Sequence, residues 1–251
     1  MPRIPAETGG GLMADCIRCG ACGHESCVGK VPVFSSLGAE DLAHVASLIR
    51  HRDYQKGGIL FSERDPLDAL VIVHSGSVKA YKLTPEGKEQ ILYVFKEGDF
   101  FGERNLFGDQ PASYTAEALE PVKTCSINRD SFRALLLESP GIAIKIIEEL
   151  ENRIARMENA IKSIGVRSVD GRISALLIDF ADRYGTILPE GVLIRLPLSR
   201  EGMASQLGIA RETVSRKLGQ LESEGMIRSL GNRRILLIDR EALAEAADIS
   251  D

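Results

Sequence analysis

The chain has 251 residues, enough for one large domain or two modest ones. Its 31 Lys and Arg residues against 36 Asp and Glu give a formal net charge of −5, so only a local basic surface would suit nucleic acid. With 44% hydrophobic and 27% charged residues, the composition is globular and excludes a disordered or fibrous chain. Because no apolar run approaches the roughly 18 residues of a membrane helix and no secretory signal opens the chain, we expect a cytoplasmic protein without a membrane partner.

Four of the five cysteines lie close together near the amino terminus. Cys16, Cys19, Cys22 and Cys27 form the pattern C-x2-C-x2-C-x4-C, which is close to the ligand spacing of ferredoxin iron–sulfur clusters. Four thiolates also suit Zn²⁺, and neighbouring thiols can form a reversible disulfide. The residues alone therefore leave an iron–sulfur cluster, structural zinc and a thiol–disulfide switch open. Cys125 stands apart in a strand-like run, where a buried cysteine is usually a small apolar residue.

A helix pattern over residues 38–49 is followed by many short strands separated by glycines, from about residue 54 to residue 127. The runs 70–73 and 78–81 have the composition of strands, and residues 84–87 have that of a tight turn. Short strands at this spacing predict a β-sandwich or β-roll.

A long helix is predicted after Ser139-Pro140-Gly141. Its apolar residues recur at intervals of 3, 4, 3, 4 and 3, which is the seam of a coiled coil, with charged residues on the other faces. A helix packed only on its own domain is the alternative, but it usually needs a wider apolar face. We therefore expect the same helix of a second copy as the partner, and a homodimer. The seam consists of Ile147, Leu150, Ile154, Met157, Ile161 and Ile164.

Residues 198–218 have the pattern of a helix-turn-helix motif. Ser199 can cap the first helix, and Gly208 permits the turn. In the second helix, Val214, Leu218 and Leu221 share the face that would pack inward. The opposite face carries Glu212, Ser215, Arg216 and Gly219, an exposed stripe that suits the major groove.

The chemistry of this stripe favours base reading over the alternative of an ordinary solvated helix pair. Arg donates two hydrogen bonds to guanine, and Glu accepts one from cytosine. The window 195–234 has eight basic and four acidic residues, 8 − 4 = +4, within an acidic chain. Two strands around a Gly-Asn turn follow at about 228–237, and arginines there suit phosphate contacts. The candidate DNA-binding residues are Ser199, Arg211, Glu212, Thr213, Ser215, Arg216, Lys217, Arg233 and Arg234.

Over nearly its whole length the chain resembles the Crp/Fnr family of bacterial transcription regulators. The resemblance rests on Gly98-Asp99-Phe100-Phe101-Gly102-Glu103, the long helix, and Glu212-Thr213-Val214-Ser215-Arg216, which is similar to the recognition helix of the Fnr branch. It implies an α+β chain with TTGAT-like palindromic DNA sites and RNA polymerase as a partner. The expected parts are a mobile, cysteine-rich segment (1–27), a cyclic-nucleotide-binding-like β-roll (28–138), a dimerisation helix (139–165) and a winged helix-turn-helix domain (166–251).

The resemblance also implies what the roll senses. Oxygen-sensing Fnr proteins hold a [4Fe-4S] cluster with three amino-terminal cysteines and one from the roll, which correspond here to Cys19, Cys22, Cys27 and Cys125, with Cys16 spare or an alternative ligand. The last spacing is one residue shorter than in those proteins, and Met157 stands where they carry an acidic residue. Ala112 replaces the arginine that holds the phosphate in cyclic-AMP-binding members, so we expect no cyclic nucleotide.

These features together predict a homodimeric DNA-binding regulator that responds to oxygen or redox state through an iron–sulfur cluster. One alternative keeps the regulator and replaces the cluster with zinc or a thiol–disulfide switch. An iron–sulfur electron carrier is the alternative from another class. No catalytic constellation is present in the sequence, so we do not expect an enzyme.

Overall fold

The computed structural model describes residues 31–35, 37–108, 110–166, 168–231 and 233–247, and within the long helix it describes side chains as far as residue 158. The expectations on Cys16, Cys19, Cys22, Cys27 and the segment 1–27 therefore lie outside the described residues, as do the side chains of Ile161 and Ile164. None of the described helices combines the length and the hydropathy needed to cross a membrane.

The amino-terminal part is a roll of two four-stranded antiparallel sheets. One sheet has the order β1-β8-β3-β6 and the other β2-β7-β4-β5. Their facing sides enclose an apolar core that includes Phe61, Val73, Phe95 and Phe101. The strands are β1 (Arg50–Tyr54), β2 (Ile59–Phe61), β3 (Ala69–Ser75), β4 (Val78–Leu83), β5 (Glu89–Phe95), β6 (Phe100–Phe101), β7 (Thr115–Ala118) and β8 (Val122–Asn128).

Helices cover the outer face of the first sheet and form a second core there. Phe34, Ile72, Cys125, Ile127 and Phe132 belong to this cluster, which we call the helix-side core. The contributing elements are a short 3-10 helix (Pro32–Phe34), α1 (Ala39–Leu48), α3 (Arg129–Glu138) and the start of α4 (Pro140–Val166). A further short helix, α2 (Glu103–Phe107), lies between β6 and β7.

Helix α4 has one apolar face that is buried and another that is exposed. Ile142 and Ile146 are buried in the helix-side core, so the first turns of the helix are fixed to the roll. The observed bounds differ by only one residue at each end from the predicted helix 139–165, because Ser139-Pro140 gives a clear helix start.

The carboxy-terminal part is a helical domain with a small sheet of order β11-β12-β10-β9. Its core combines the inner faces of four helices with the sheet, and it also includes Ile91 and Val94 from β5 of the roll. The elements are α5 (Val169–Tyr184), β9 (Gly185–Leu188), β10 (Gly191–Arg195), α6 (Arg200–Leu207), α7 (Arg211–Ser223), β11 (Ile227–Ser229), β12 (Arg234–Leu237) and α8 (Arg240–Ala246).

The α+β class, the roll, the long helix and the winged helix-turn-helix are confirmed. Strands β9 and β10, which follow α5, were not predicted from the sequence. Both strands belong to the sheet of the wing, since β10 pairs with β12 along residues 192–195. This pairing joins residues about forty positions apart, and short-range periodicity does not reveal it.

Candidate DNA-binding interface and sensor site

The helix-turn-helix motif is formed by α6 and α7. The hydroxyl of Ser199 accepts a hydrogen bond from the amide of Gly202 at 3.2 Å and so caps α6. Gly208 ends the helix with a φ of 65°, the left-handed conformation that glycine adopts without strain. Met203 and Ala204 are buried, which lets the two helices pack closely. In the structure Ser199 therefore caps α6. The start of this helix is exposed, and a helix amino terminus is a suitable place for a DNA phosphate.

Helix α7 separates a core face from an exposed face. Val214, Leu218 and Leu221 are buried, as the spacing predicted. Of the candidate DNA-binding residues on this helix, Arg211, Glu212 and Arg216 are exposed, and Thr213 and Ser215 are half-buried at the edge of the stripe. These five side chains lie on one accessible surface with two arginines and one carboxylate, which is the donor and acceptor set that base reading requires.

Lys217 departs from the prediction because it faces inward. Its side chain is 7% exposed, and Nζ lies 3.6 Å from the Oδ2 of Asp170 on α5. Lys217 is three residues after Val214 and four before Leu221, so helical periodicity places it at the border of the core face. The helical spacing alone could therefore have indicated that Lys217 is buried. In this structure Lys217 joins α7 to α5, and it does not belong to the DNA-facing surface.

The wing carries further exposed arginines. Arg233 and Arg234 are exposed at the turn between β11 and β12. Arg233 has a φ of 57°, a conformation that costs a non-glycine residue about 1–2 kcal/mol. Its backbone carbonyl accepts the amide of Leu196 at 2.8 Å, which ties the tip of the wing to the segment before α6.

Two exposed arginines were counted in the basic window but not assigned to the site. Arg195 lies opposite Arg234 in the register of β10 and β12, and Arg200 is the first residue of α6. Both are exposed cations of the kind that contact DNA phosphates.

The comparisons with known proteins agree with this arrangement. A cyclic nucleotide-binding domain model matches residues 51–139, and a Crp-like helix-turn-helix domain model matches residues 171–246. The CRP-like cAMP-activated global transcriptional regulator of Mycobacterium tuberculosis is 30% identical over 220 residues, which cover 87% of this chain and 97% of that protein. The chain belongs to the Crp/Fnr family of transcription regulators.

Two other relatives extend the comparison. The anaerobic regulatory protein of Bacillus subtilis is 27% identical over 214 residues, covering 84% of this chain and 90% of that protein. The solved structure of FixK2 from Bradyrhizobium japonicum superimposes with a TM-score of 0.70 at 25% identity, covering 79% of this chain and 96% of that one. Regulators of this family bind DNA and act as dimers, so an iron–sulfur electron carrier no longer fits the chain.

In this Crp/Fnr regulator Arg153 and Glu103 form an ion pair that is mostly shielded from solvent. Nη1 of Arg153 on α4 lies 2.9 Å from Oε1 of Glu103, and the two side chains are only 13% and 14% exposed. Nη2 of the same guanidinium donates to the carbonyl of Phe100 at 3.0 Å. The other oxygen of Glu103, Oε2, is buried and accepts no hydrogen bond from the described residues. The pair joins the roll directly to the long helix.

The side chains near Ala112 differ from those expected of a phosphate site. Ala112 is buried and brings no cation, and Tyr114 lies beside it with its ring 5.6 Å from that of Phe61. Desolvation raises the pKa of Tyr114, so its hydroxyl stays neutral. Arg104 donates to the hydroxyl of Ser113 at 3.2 Å, and the sequence analysis did not assign this exposed cation. No comparison tests the expectation on cyclic nucleotides, and it stays a prediction.

Cys125 lies in the helix-side core and is 3% exposed. Its Sγ is 3.4 Å from Nδ1 of His51 on the neighbouring strand β1. The described chain begins at Val31, which belongs to the same cluster. Within the part of the chain that the structure describes, no three metal-ligating side chains come together, since the other four cysteines precede residue 31.

The predicted dimer seam is partly exposed on α4. Ile147, Ile154 and Met157 are exposed at 64%, 56% and 43%, as an unpaired seam requires. Leu150 differs, because it is half-buried and packs against the helix-side core of its own chain. Ile144, 58% exposed, adds to the exposed face and was not predicted.

The DNA-binding domain also docks on the roll through β5, which the sequence analysis missed. The hydroxyl of Ser205 on α6 donates to the carbonyl of Glu89 at 2.6 Å and accepts the amide of Ile91 at 3.2 Å. At the end of α5, Arg183 donates to the carbonyl of Val94 at 2.9 Å and to Asp99 at 3.1 Å. The helix-turn-helix motif is therefore fixed to the roll by its first helix, while the face of α7 with Glu212 and Arg216 stays exposed.

Proposed function

We propose that this DNA-binding regulator responds to oxygen or redox state through an iron–sulfur cluster, a [4Fe-4S] cluster by the family resemblance. The ligands are Cys19, Cys22, Cys27 and Cys125, with Cys16 as an alternative. The regulator reads TTGAT-like half-sites as a homodimer, with RNA polymerase as its partner at promoters. The observation that carries the proposal is that Cys125 belongs to the same core cluster as Val31, which follows Cys27 by four residues.

The residues present fit such a group. Cys27 precedes Val31 by four residues, a distance that an extended chain covers with at most about 14 Å. Val31 and Cys125 belong to one core cluster, so the amino-terminal thiols need only a short return to reach the sulfur of Cys125. The thiolates of four cysteines are the usual ligand set of a [4Fe-4S] group.

A cluster of this type, when bound, supplies iron–sulfur bonds that oxygen breaks by oxidation. The chain's own residues then transmit the change. Cys125 lies in the same core as Ile142 and Ile146 of α4, so a rearrangement at its sulfur reaches the long helix through direct packing. The switch needs a difference in DNA affinity between the two states, because a ligand without differential affinity shifts no equilibrium.

The DNA-reading side follows from the exposed surface of α7. Arg216 and Glu212 contact base edges in the major groove, while Arg233 and Arg234 contact phosphates. A homodimer joined by the exposed seam of α4 presents two recognition helices, and a two-fold symmetric site with half-sites one helical turn apart fits them.

The test begins with the full-length protein purified without oxygen. We expect broad visible absorption, iron and sulfide, and tight operator binding that weakens on exposure to air. Cys22→Ser should abolish cluster assembly, and Cys16→Ser, the matched control in the same segment, should retain it. A colourless protein that contains zinc, or one whose DNA affinity follows a disulfide, would replace the cluster with the corresponding alternative. Equal operator affinity before and after air would disprove redox sensing.

Cyclic AMP is the second candidate effector, because a relative with 30% identity is described as cAMP-activated. The buried Ala112 leaves the phosphate without the family's arginine, so we expect no saturable heat in a calorimetric titration and no thermal stabilisation. Binding with ligand at a hundredfold excess over its Kd would add about 2.7 kcal/mol to the free energy of unfolding, which is easily measured. If binding is seen, Arg104→Ala would show whether that exposed guanidinium supplies the missing cation.

A further inference from the structure

We infer that His51 is a positioning residue for Cys125, holding the sulfur by a hydrogen bond from its imidazole and thereby setting the redox stability of the metal group. The inference rests on the proposed function, since it assigns a role next to one of the proposed cluster ligands. The distance of 3.4 Å between Nδ1 of His51 and Sγ of Cys125 is within hydrogen-bonding range for sulfur.

The fold fixes this contact in two ways. His51 and Cys125 are direct partners in the antiparallel register of β1 and β8. On one side of the pair, the hydroxyl of Thr124 donates to the carbonyl of Arg52 at 3.3 Å. On the other side, the hydroxyl of Ser126 donates to the carbonyl of Arg50, also at 3.3 Å. These two bonds hold the strands together on either side of the pair, so the imidazole cannot move away by a shift in register.

The chemistry of the pair gives the direction of the effect. A thiolate that binds iron has no proton and only accepts hydrogen bonds, so Nδ1 is the donor in the assembled site. A hydrogen bond to a ligand sulfur withdraws electron density from the metal group and raises its reduction potential. A higher potential makes oxidation harder. His51 therefore slows oxidative loss of the group and sets the oxygen level at which the regulator responds.

The experiment compares the wild-type protein with four single variants, all full-length and assembled without oxygen, of which Cys125→Ser removes the proposed ligand sulfur itself. His51→Phe keeps a ring of similar size and removes the donor, and His51→Asn keeps a donor near the place of Nδ1. His44→Phe is the matched control, because His44 lies exposed on α1, with its Nε2 3.8 Å from a carboxylate oxygen of Glu138. Iron and sulfide contents, the midpoint potential and the rate of bleaching in air are measured for each protein.

We expect His51→Phe to retain its iron and to shift the reduction equilibrium about tenfold toward the oxidised form, which is about 59 mV for a one-electron couple. Its bleaching in air should be correspondingly faster. His51→Asn should lie closer to the wild type, and His44→Phe should match it. If His51→Phe fails to fold, His51→Leu removes the donor in its place, and a midpoint potential equal to that of the wild type and of His44→Phe would overturn the inference.

Each contrary result has a separate meaning. A wild-type protein without iron overturns the proposed function and this inference with it. A wild-type cluster whose potential and bleaching rate are the same in His51→Phe overturns the inference alone. Full iron content and an unchanged spectrum in Cys125→Ser would show that Cys125 is no ligand, and His51 would then have no metal group to act on.

Discussion

The helix-turn-helix motif and the roll differ in where they place the residues for which we propose a function. On α7 the candidate base-reading residues Glu212 and Arg216 are exposed, and the core residues Val214 and Leu218 lie on the opposite face. In contrast, Cys125 of the roll is buried, and the Arg153–Glu103 pair, which joins α4 to the roll, is mostly shielded from solvent. On α7, substitutions can therefore alter DNA binding without altering the stability of the fold. A change at Cys125 or at the Arg153–Glu103 pair must also alter the packing.

This difference suits a sensor. A signal at an exposed residue would stay local, but one at Cys125 acts on a core that includes the start of α4. The domain contact at β5 completes the path, since Ile91 and Val94 of the roll belong to the core of the DNA-binding domain. Close-packed cores transmit small displacements because they contain few voids to absorb them.

The largest change in the free energy of unfolding is expected when the ion pair between the roll and the long helix is broken. Arg153→Met leaves the buried carboxylate of Glu103 without its cation, and the free energy of unfolding should fall by about 3–5 kcal/mol. Chemical denaturation measures the change. The double variant Arg153→Met with Glu103→Gln should recover much of the loss, because it removes the uncompensated charge as well. A stability change below about 1 kcal/mol would contradict the burial of this pair.

A smaller effect, confined to DNA binding, is expected at the exposed face of α7. Arg216→Ala should weaken binding to the specific operator by about 1–3 kcal/mol and leave non-specific binding nearly unchanged, because a lost base contact affects only the cognate sequence. Titrations against operator and random duplexes at several salt concentrations measure the free energies of specific and of non-specific binding. An equal loss on random DNA would assign Arg216 to phosphate.

Lys217 provides the matched contrast on the same helix. Lys217→Met keeps the length of the buried chain and removes the charge that pairs with Asp170, so its effect should appear in stability and not in the salt dependence of DNA binding. A loss of about one unit in the salt slope would return Lys217 to the set of phosphate contacts.

How far the sequence predicts these features depends on the range of the interactions. Ser199, Gly208 and the inward face of α7 follow from capping and helical period, which act over a few residues. The approach of His51 to Cys125 joins positions 74 apart, and that of Arg153 to Glu103 joins positions 50 apart. Strand register and helix docking decide such pairs. For the same reason the seam of α4 was only partly predicted, since the roll decides that Leu150 is covered and Ile144 is not.

The smallest effect is expected at Arg233. This residue is exposed and proposed to contact DNA, yet its substitution should also change the stability of the fold. Arg233 is exposed, but its φ of 57° is a strained backbone conformation for residues other than glycine. Arg233→Gly relieves about 1–2 kcal/mol of this strain and loses about 0.5–1 kcal/mol through the greater freedom of the unfolded chain. The free energy of unfolding should therefore rise by at most about 1.5 kcal/mol, less the loss of the hydrogen bond that the guanidinium donates to the carbonyl of Pro197 at 3.4 Å.

DNA binding should move in the opposite direction. Without the guanidinium, affinity should fall by a similar amount for operator and random DNA, and the salt slope should decrease by about one unit, as for a single phosphate contact. Arg234→Ala is the control, because Arg234 lies in a regular strand position opposite Arg195 and should lose affinity with no gain in stability. A gain in stability with unchanged affinity in Arg233→Gly would mean that the wing touches DNA only through Arg234 and its neighbours. The strained backbone would then serve the hydrogen bond to Leu196, which closes the wing onto the segment before α6.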